Sequence, residues 1–310
     1  GFITYDAVGT LTQVTSILPN LGGKDVISMG GGTNVAIAGQ ADDRVTGDSG
    51  EDYIFGDSGS ALFAAGQLTE AESLALDQGG NDTIVTGDGR NVAFGGFGAD
   101  RVNVDSANHP LTANGDDVLI GDNGKVTLNN GIVVRIESTD LDESTGGDDL
   151  LFTGEGFNQV IGGAGKDQIT GGDSTDHVLG DHGFVTYDSD GKLTRIESTL
   201  TDLGGEDTIA MGSGTNVVIA GQAADQITGG AGMDIVFGDS GIAQFNAGIL
   251  SVAESLALAQ GGDDVITTGD GRNVAFGGFG ADRVNLDAND KQLTANGDDV
   301  LIGDNGKVTL

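Results

Sequence analysis

The chain has 310 residues, 48 acidic against 13 basic side chains, a net charge of −35, 57 glycines, 2 prolines, and neither Cys nor Trp. Glycine at this density without a three-residue period or abundant proline excludes collagen, the lack of Cys excludes a disulfide-stapled domain, and the scarcity of Lys and Arg argues against a nucleic-acid partner, whose phosphates need neutralising. No run of about 20 apolar residues suits membrane insertion, no basic segment with an apolar core marks a signal peptide, and 37% hydrophobic residues at regular spacing argue against disorder.

Internal repetition organises the whole chain. Residues 1–128 align without a gap with 183–310, an offset of 182, and 89 of the 128 positions are identical. The run TGDGRNVAFGGFGADRVN at 86–103 recurs unchanged at 268–285. The tetrad Gly-Asp-x-Gly begins at Gly56, Gly121, Gly180, Gly238 and Gly303, at spacings of 65, 59, 58 and 65, so three subunits make one long repeat. The pattern reads as one continuous tandem-repeat solenoid over 1–310, a window from a longer array.

Clusters of nine-residue blocks alternate with connectors. The first cluster, near 22–57, carries Asp25, Asn34, Asp43 and Asp52, nine residues apart. The connector at 59–76 begins as a strand and ends LTEAESLAL, where Thr69 and Glu72 fit a capping box, so a short helix turn rivals a second strand. The cluster near 79–122 carries Asp82, Asn91, Asp100 and Asp117, its last step lengthened to 17 by eight residues inserted around 106–113. GKVTLNNGIVVRIEST at 124–139 reads as two alternating strands joined by an Asn-Gly turn, a β-hairpin. Asp149, Asn158, Asp167 and Asp176 follow in the cluster near 146–181, then a second hairpin, GFVTYDSDGKLTRIEST, at 183–199. The cluster near 204–239 carries Asp207, Asn216, Asp225 and Asp234. The connector at 241–258 repeats the capping-box pattern with Ser251 and Glu254. The last cluster, near 261–304, has Asp264, Asn273, Asp282 and Asp299, again with an insertion, around 288–295. The hairpins are expected to project from or widen the solenoid, and to be its candidates for lateral contact.

A helix cannot carry these blocks, because glycine costs about 1 kcal/mol per residue relative to Ala. Each block reads as six turn residues and a three-residue strand, with glycine supplying positive φ and an aliphatic residue two positions after the Asp (Ile54, Val102, Ile169, Ile227) pointing inward. Stacked at roughly 4.8 Å per coil, the inward side chains form one apolar ladder. The fold class is therefore all-β, a parallel β-roll or β-solenoid interrupted by hairpins. Stacking also places Asp25 over Asp43 and Asp149 over Asp167. Two carboxylates about 5 Å apart repel by roughly 0.8 kcal/mol in water and about 3 kcal/mol at an effective dielectric of 20. That repulsion opposes folding unless cations intervene, and carboxylates with glycine-turn carbonyls make an all-oxygen cage suited to Ca2+, which takes 6–8 oxygens; the alternative is that Gly and Asp serve only as turn formers, without metal. Zn2+ would prefer Cys or His, and His109, His177 and His182 sit apart in the sequence.

The blocks GGAGKDQIT (162–170), GGAGMDIVF (229–237) and GGFGADRVN (95–103, 277–285) resemble the glycine-rich nonapeptide of RTX (repeats-in-toxin) proteins, GGxGxDxUx with U aliphatic. The resemblance covers about 36 of each roughly 61 residues and implies a parallel β-roll with Ca2+ between successive turns. Its motif aspartates are those named above. The five Asn keep an oxygen ligand without the charge, so that side should bind more weakly or form hydrogen-bonded Asn stacks. The tetrad aspartates Asp57, Asp122, Asp181, Asp239 and Asp304 suit Ca2+ binding and turn capping equally well. About two ions per cluster would give about ten, offsetting about 20 of the negative charges.

Other motifs point to no catalysis. GDSG at 56–59 and 238–241 is matched elsewhere by GDNG and GDHG, so its Ser is dispensable, and a Ser nucleophile also needs a base in reach. DSDG at 188–191 lacks the Glu that an EF-hand needs at its twelfth position, which is Thr199. Glu72, Glu137, Glu197 and Glu254 read as a solvated or Arg-paired face in preference to extra ligands. Outward Thr at Thr46, Thr170 and Thr228 is too sparse for an ice- or mineral-binding ladder. The expectation is a non-enzymatic, Ca2+-dependent segment of a long secreted or cell-surface bacterial protein (adhesin, matrix component or filament), capable of self-association into fibres or sheets. The alternative is a secretion and folding module attached to a toxin or hydrolase.

Overall fold

Glycine-rich turns and short aliphatic strands alternate as the block pattern requires, and the computed structural model, which describes every residue except Leu141 and Ala288, stacks them into two parallel sheets of ten strands. Blocks one and three of each cluster form the first roll sheet, from Val26–Ser28 to Arg283–Val284; blocks two and four form the second, from Asn34–Ile37 to Val300–Asp304. Equivalent residues pair in register one coil apart, as in Val26↔Arg44 and Asn34↔Asp52. Among the described residues the one helical element is the 3-10 turn Glu143–Thr145. Among the described residues no helix is long and apolar enough to cross a membrane.

The aliphatic residue two places after the Asp or Asn points inward in every block but the last, where Leu301 is exposed. Val45, Ile84, Leu151, Ile169 and Ile209 of the first sheet meet Ile54, Leu119, Val160 and Val178 of the second, all of them buried. Each strand contributes one such side chain, too little to hold alone, and the stack joins them into a single core.

The connectors widen the solenoid, and they do so as a third layer. Every hairpin bonds to the next: Lys125 pairs with Glu72, Phe184 with Glu137, and Ile242 with Glu197. The result is an eleven-stranded antiparallel sheet, from Phe2–Tyr5 to Lys307–Thr309. Its inner face, with Ala61, Val126, Ile136, Val185, Ile196 and Ala253, packs on the outer face of the second roll sheet, with Phe55, Phe94, Ile120, Phe237 and Phe276. The second roll sheet is thus covered on both faces, which explains its wholly apolar strands (VAF at 92–94, VLI at 118–120). Stacked phenyl rings follow the coil spacing: Phe55–Phe94 at 4.8 Å and Phe237–Phe276 at 4.7 Å, the ring planes nearly parallel in both pairs.

The capping-box segments are strands, Gln67–Ser73 and Ile249–Ser255. The Thr69 hydroxyl donates to the Leu62 carbonyl across the hairpin (3.1 Å), and the Ser251 hydroxyl to the Gln244 carbonyl (2.9 Å), in place of a helix N-terminus. Tertiary pairing and burial of Leu68 and Ala71 override the local helix signal.

Ile196 is fully buried between the hairpin layer and the roll. Ile196→Ala should cost about 2–5 kcal/mol and lower the denaturant midpoint measured in Ca2+; an unchanged midpoint would mean that the hairpins are not part of the folded core.

Candidate metal centres

The first column of turns carries the chain from the second roll sheet, or from a hairpin, back to the first. Each turn ends in an aspartate just before the strand. The backbone N–H of each aspartate donates to Oδ1 of the equivalent residue one coil further, at 2.6–3.0 Å, through Asp25, Asp43, Asp82, Asp100, Asp149, Asp167, Asp207, Asp225, Asp264 and Asp282. Blocks one and three of every cluster therefore stack as one ladder of carboxyl groups.

The ladder uses only one oxygen of each group. Oδ2 of Asp43, Asp82, Asp100, Asp149, Asp167, Asp207, Asp225, Asp264 and Asp282 is buried with no hydrogen-bond partner. All of these oxygens but those of Asp43 and Asp225 point at the glycines that open the turns. A Cβ added to Gly56 would come within 3.0 Å of both Asp82 Oδ2 and the Gly95 carbonyl oxygen; one on Gly121 would meet Asp149 Oδ2 and the Gly162 carbonyl; one on Gly238 would meet Asp264 Oδ2 and the Gly277 carbonyl. Glycine at these places keeps open a cradle walled by a carboxylate oxygen and a carbonyl of the next coil. Unpaired buried oxygens are costly, and a hard cation satisfies them. The donor set fits Ca2+. Among the described residues no three His, Cys, Asp or Glu side chains converge on one point, so an ion held here would take its remaining ligands from backbone carbonyls. Sequence reading named the aspartates but not those particular carbonyls, because only the coil-to-coil offset shows which ones face which carboxylate.

Burial, with little between the carboxylates to offset it, pushes these acids upward: Asp82, Asp207 and Asp264 to about 8, and Asp225 to about 10. Asp100, Asp149 and Asp167 are also held well above the carboxylate range, by burial first and neighbouring aspartates second.

The second column alternates. Asn34, Asp52, Asn91, Asp117, Asn158, Asp176, Asn216, Asp234, Asn273 and Asp299 occupy successive rungs, linked by backbone N–H to side-chain oxygen bonds of 2.9–3.2 Å from Asp52 onward. Each Asn amide also donates to Oδ1 of the following Asp, at 2.8–3.1 Å. Here Oδ2 is without a partner at Asp52, Asp176 and Asp234, while Asp117 Oδ2 accepts the Thr86 hydroxyl at 3.3 Å. Asn103, unremarked in the sequence, bridges this column beside the insertion by accepting from the Thr86 N–H at 2.8 Å.

Four tetrad aspartates bind backbone amides. Asp57 accepts from the N–H of Gly80 (3.1 Å) and Phe97 (2.6 Å), Asp122 from Gly147 (2.9 Å) and Ala164 (2.5 Å), Asp181 from Gly205 (3.0 Å) and Gln222, and Asp239 from Gly262 (2.9 Å) and Phe279. With both oxygens so engaged, this geometry favours turn capping over metal ligation; the turns capped belong to the roll, not to the hairpins. Asp304, in the last coil, is exposed. Glu137 and Glu197 pair with Arg135 and Arg195, and Glu72 and Glu254 with Lys125 and Lys307, on the outer hairpin face. Asp188 Oδ1 accepts from the N–H of Asp190 and Lys192, which closes the DSDG turn. Buried His177 is bonded to the Tyr187 hydroxyl (2.7 Å).

Stacked nonapeptide turns that end in aspartate or asparagine, most of them buried, define a calcium-binding β-roll. Five stretches, 30–61, 78–108, 143–178, 212–243 and 258–290, together more than half of the chain, match the RTX calcium-binding nonapeptide repeat. The chain belongs to that family, a structural calcium-binding repeat and not a catalytic one. No curated protein matches the chain closely enough to serve as a relative.

The raised acids set a pH dependence. The folded, metal-free chain holds protons that the unfolded chain, with Asp near 3.9, releases between about pH 4 and 8. Its stability is fully present below the unfolded value and is lost as pH rises through about 8. Circular dichroism in EDTA should therefore show β structure increasing from pH 9 to pH 5.5. In Ca2+ the trend should reverse, since protons compete for the ligands; parallel trends in the two media would refute the assignment. Gly121→Ala, which fills the Asp149 cradle, should lower the number of ions bound without unfolding the chain in saturating Ca2+.

Proposed function

We propose that this chain is a calcium-stiffened rod from a long extracellular repeat protein, acting as a spacer or structural element in adhesion, a surface matrix or a filament. One observation carries the reading: a column of buried aspartate oxygens without a partner, seven of them beside a turn carbonyl of the next coil. Such a column makes folding conditional on the cation. Where free Ca2+ is scarce, repulsion between carboxylates about 5 Å apart and a net charge of −35 keep the chain extended and exportable. At about millimolar Ca2+, within the range of extracellular sites, ligation and folding occur together. Counting one ion per unpartnered Asp Oδ2 gives on the order of ten.

The role is mechanical, without catalysis. Three sheets share one axis and every coil is tied to the next. An appended secretion module is the less economical reading, because the hairpin layer adds a second core with no bearing on export. Calcium also removes much of the charge that keeps rods apart, so Ca2+-dependent self-association, through the ion-paired outer hairpin face, belongs to the proposal.

Far-UV circular dichroism at pH 7.5 tests it. The EDTA-treated chain should be coil-like and convert cooperatively to β on titration with Ca2+ but not Mg2+. A full β spectrum in EDTA would make the aspartates turn formers and overturn the reading. Light scattering should show association growing with Ca2+; a monomer throughout would remove self-association alone.

A further inference from the structure

We propose that the two columns of turns neutralise their charge by different means: calcium in the all-aspartate column, and an asparagine amide in the cation's place in the alternating column. The inference rests on the calcium reading above and concerns which residues of this chain require the ion.

Each amide nitrogen bonds oxygens that a cation would otherwise have to satisfy. Asn34 Nδ2 lies 2.7 Å from the Gly30 carbonyl oxygen, 3.2 Å from that of Gly32 and 2.8 Å from Asp52 Oδ1. The glycine carbonyls of a turn and a carboxylate of the next coil thus surround one donor nitrogen. The set recurs at Asn91 (Gly89, Asp117), Asn158 (Gly156, Asp176), Asn216 (Gly212, Asp234) and Asn273 (Gly269, Asp299), at 3.0–3.4 Å. These are the oxygen types that form the cradles of the first column, but here they receive N–H bonds.

Charge spacing agrees. In the first column carboxylates follow one another at about 5 Å, whereas in the second Asn separates them to about 10 Å, which halves each Coulomb term before salt screening. Nine of the ten first-column aspartates keep an unpartnered oxygen, against Asp52, Asp176 and Asp234 of the five in the second. At Asp117 the Thr86 hydroxyl occupies the position.

The chain should therefore bind Ca2+ in two classes, about nine ions tightly and no more than about three weakly. Calorimetric titration with Ca2+ alone, read beside circular dichroism, decides. A first-column variant made to alternate, Asp82→Asn with Asp149→Asn and Asp207→Asn, should bind at least about three fewer ions and fold at several-fold lower Ca2+. The converse variant, Asn91→Asp with Asn158→Asp and Asn216→Asp, should bind additional ions and need several-fold more Ca2+ to fold. Two columns that fill equally in the unaltered chain would overturn the inference while leaving the calcium reading intact. So would loss of β structure at saturating Ca2+ in the first variant, or no extra ion in a folded second variant. No binding at all by the unaltered chain would sink both.

Discussion

Everything in this molecule depends on stacking like charges at the separation of β-strands. Parallel strands lie about 4.8 Å apart, so any acid at a fixed motif position meets its copy at that distance on the next coil. Ten aspartates do so in the first column, and all but the first, Asp25, use one oxygen to accept the N–H of a neighbour. That bond sets the register of the ladder and leaves the other oxygen buried and unsatisfied. The same contact that aligns the coils thus creates the demand for a cation.

Glycine is the second half of this arrangement. At Gly56 or Gly121 a Cβ would collide with a carboxylate oxygen and a carbonyl together, so the residue is required by close approach. At Gly96, φ is +111° and the adjacent N–H of Phe97 reaches Asp57. The tetrad aspartates therefore fasten the place where the chain leaves the roll for a hairpin, holding the turns on either side by their amides. The tetrad aspartates tie roll turns by neutral N–H donors, as the first-column aspartates do between coils, and of the two sets only the latter leaves an oxygen unpartnered.

The hairpin layer changes what the roll can be. A two-sheet roll would expose the outer face of its second sheet, whereas here that face carries Phe55, Phe94, Phe237 and Phe276 against a continuous antiparallel sheet. Two cores run in parallel, separated by one sheet. The outer hairpin face is laced with ion pairs such as Lys125 with Glu70 and Glu72, and Arg135 with Glu137, and Arg135 lies over the Phe184 ring at 4.3 Å. Exposed pairs of this kind add little stability, but they give one flank of a strongly acidic rod a nearly balanced charge.

By itself the sequence determined the nine-residue period, the turn-and-strand division of each block, the inward residue of each strand and the stacking of Asp25 over Asp43. These follow from local chemistry: glycine's freedom in φ, the two-residue alternation of strands, and repetition that obliges equivalent residues to superpose. Read further, the wholly apolar tripeptides after Asn91 and Asp117, beside the mixed ones after Asp43 and Asp167, already signalled a sheet covered on both sides. Only the tertiary structure decided that the hairpins bond to one another, that Thr69 and Ser251 sit in strands, that Asp57 and its equivalents bind amides, and which carbonyl faces which carboxylate. Many of those contacts join residues far apart in the chain, as Glu72 with Lys125 and Asp57 with Phe97, brought together by pairing that no local preference specifies.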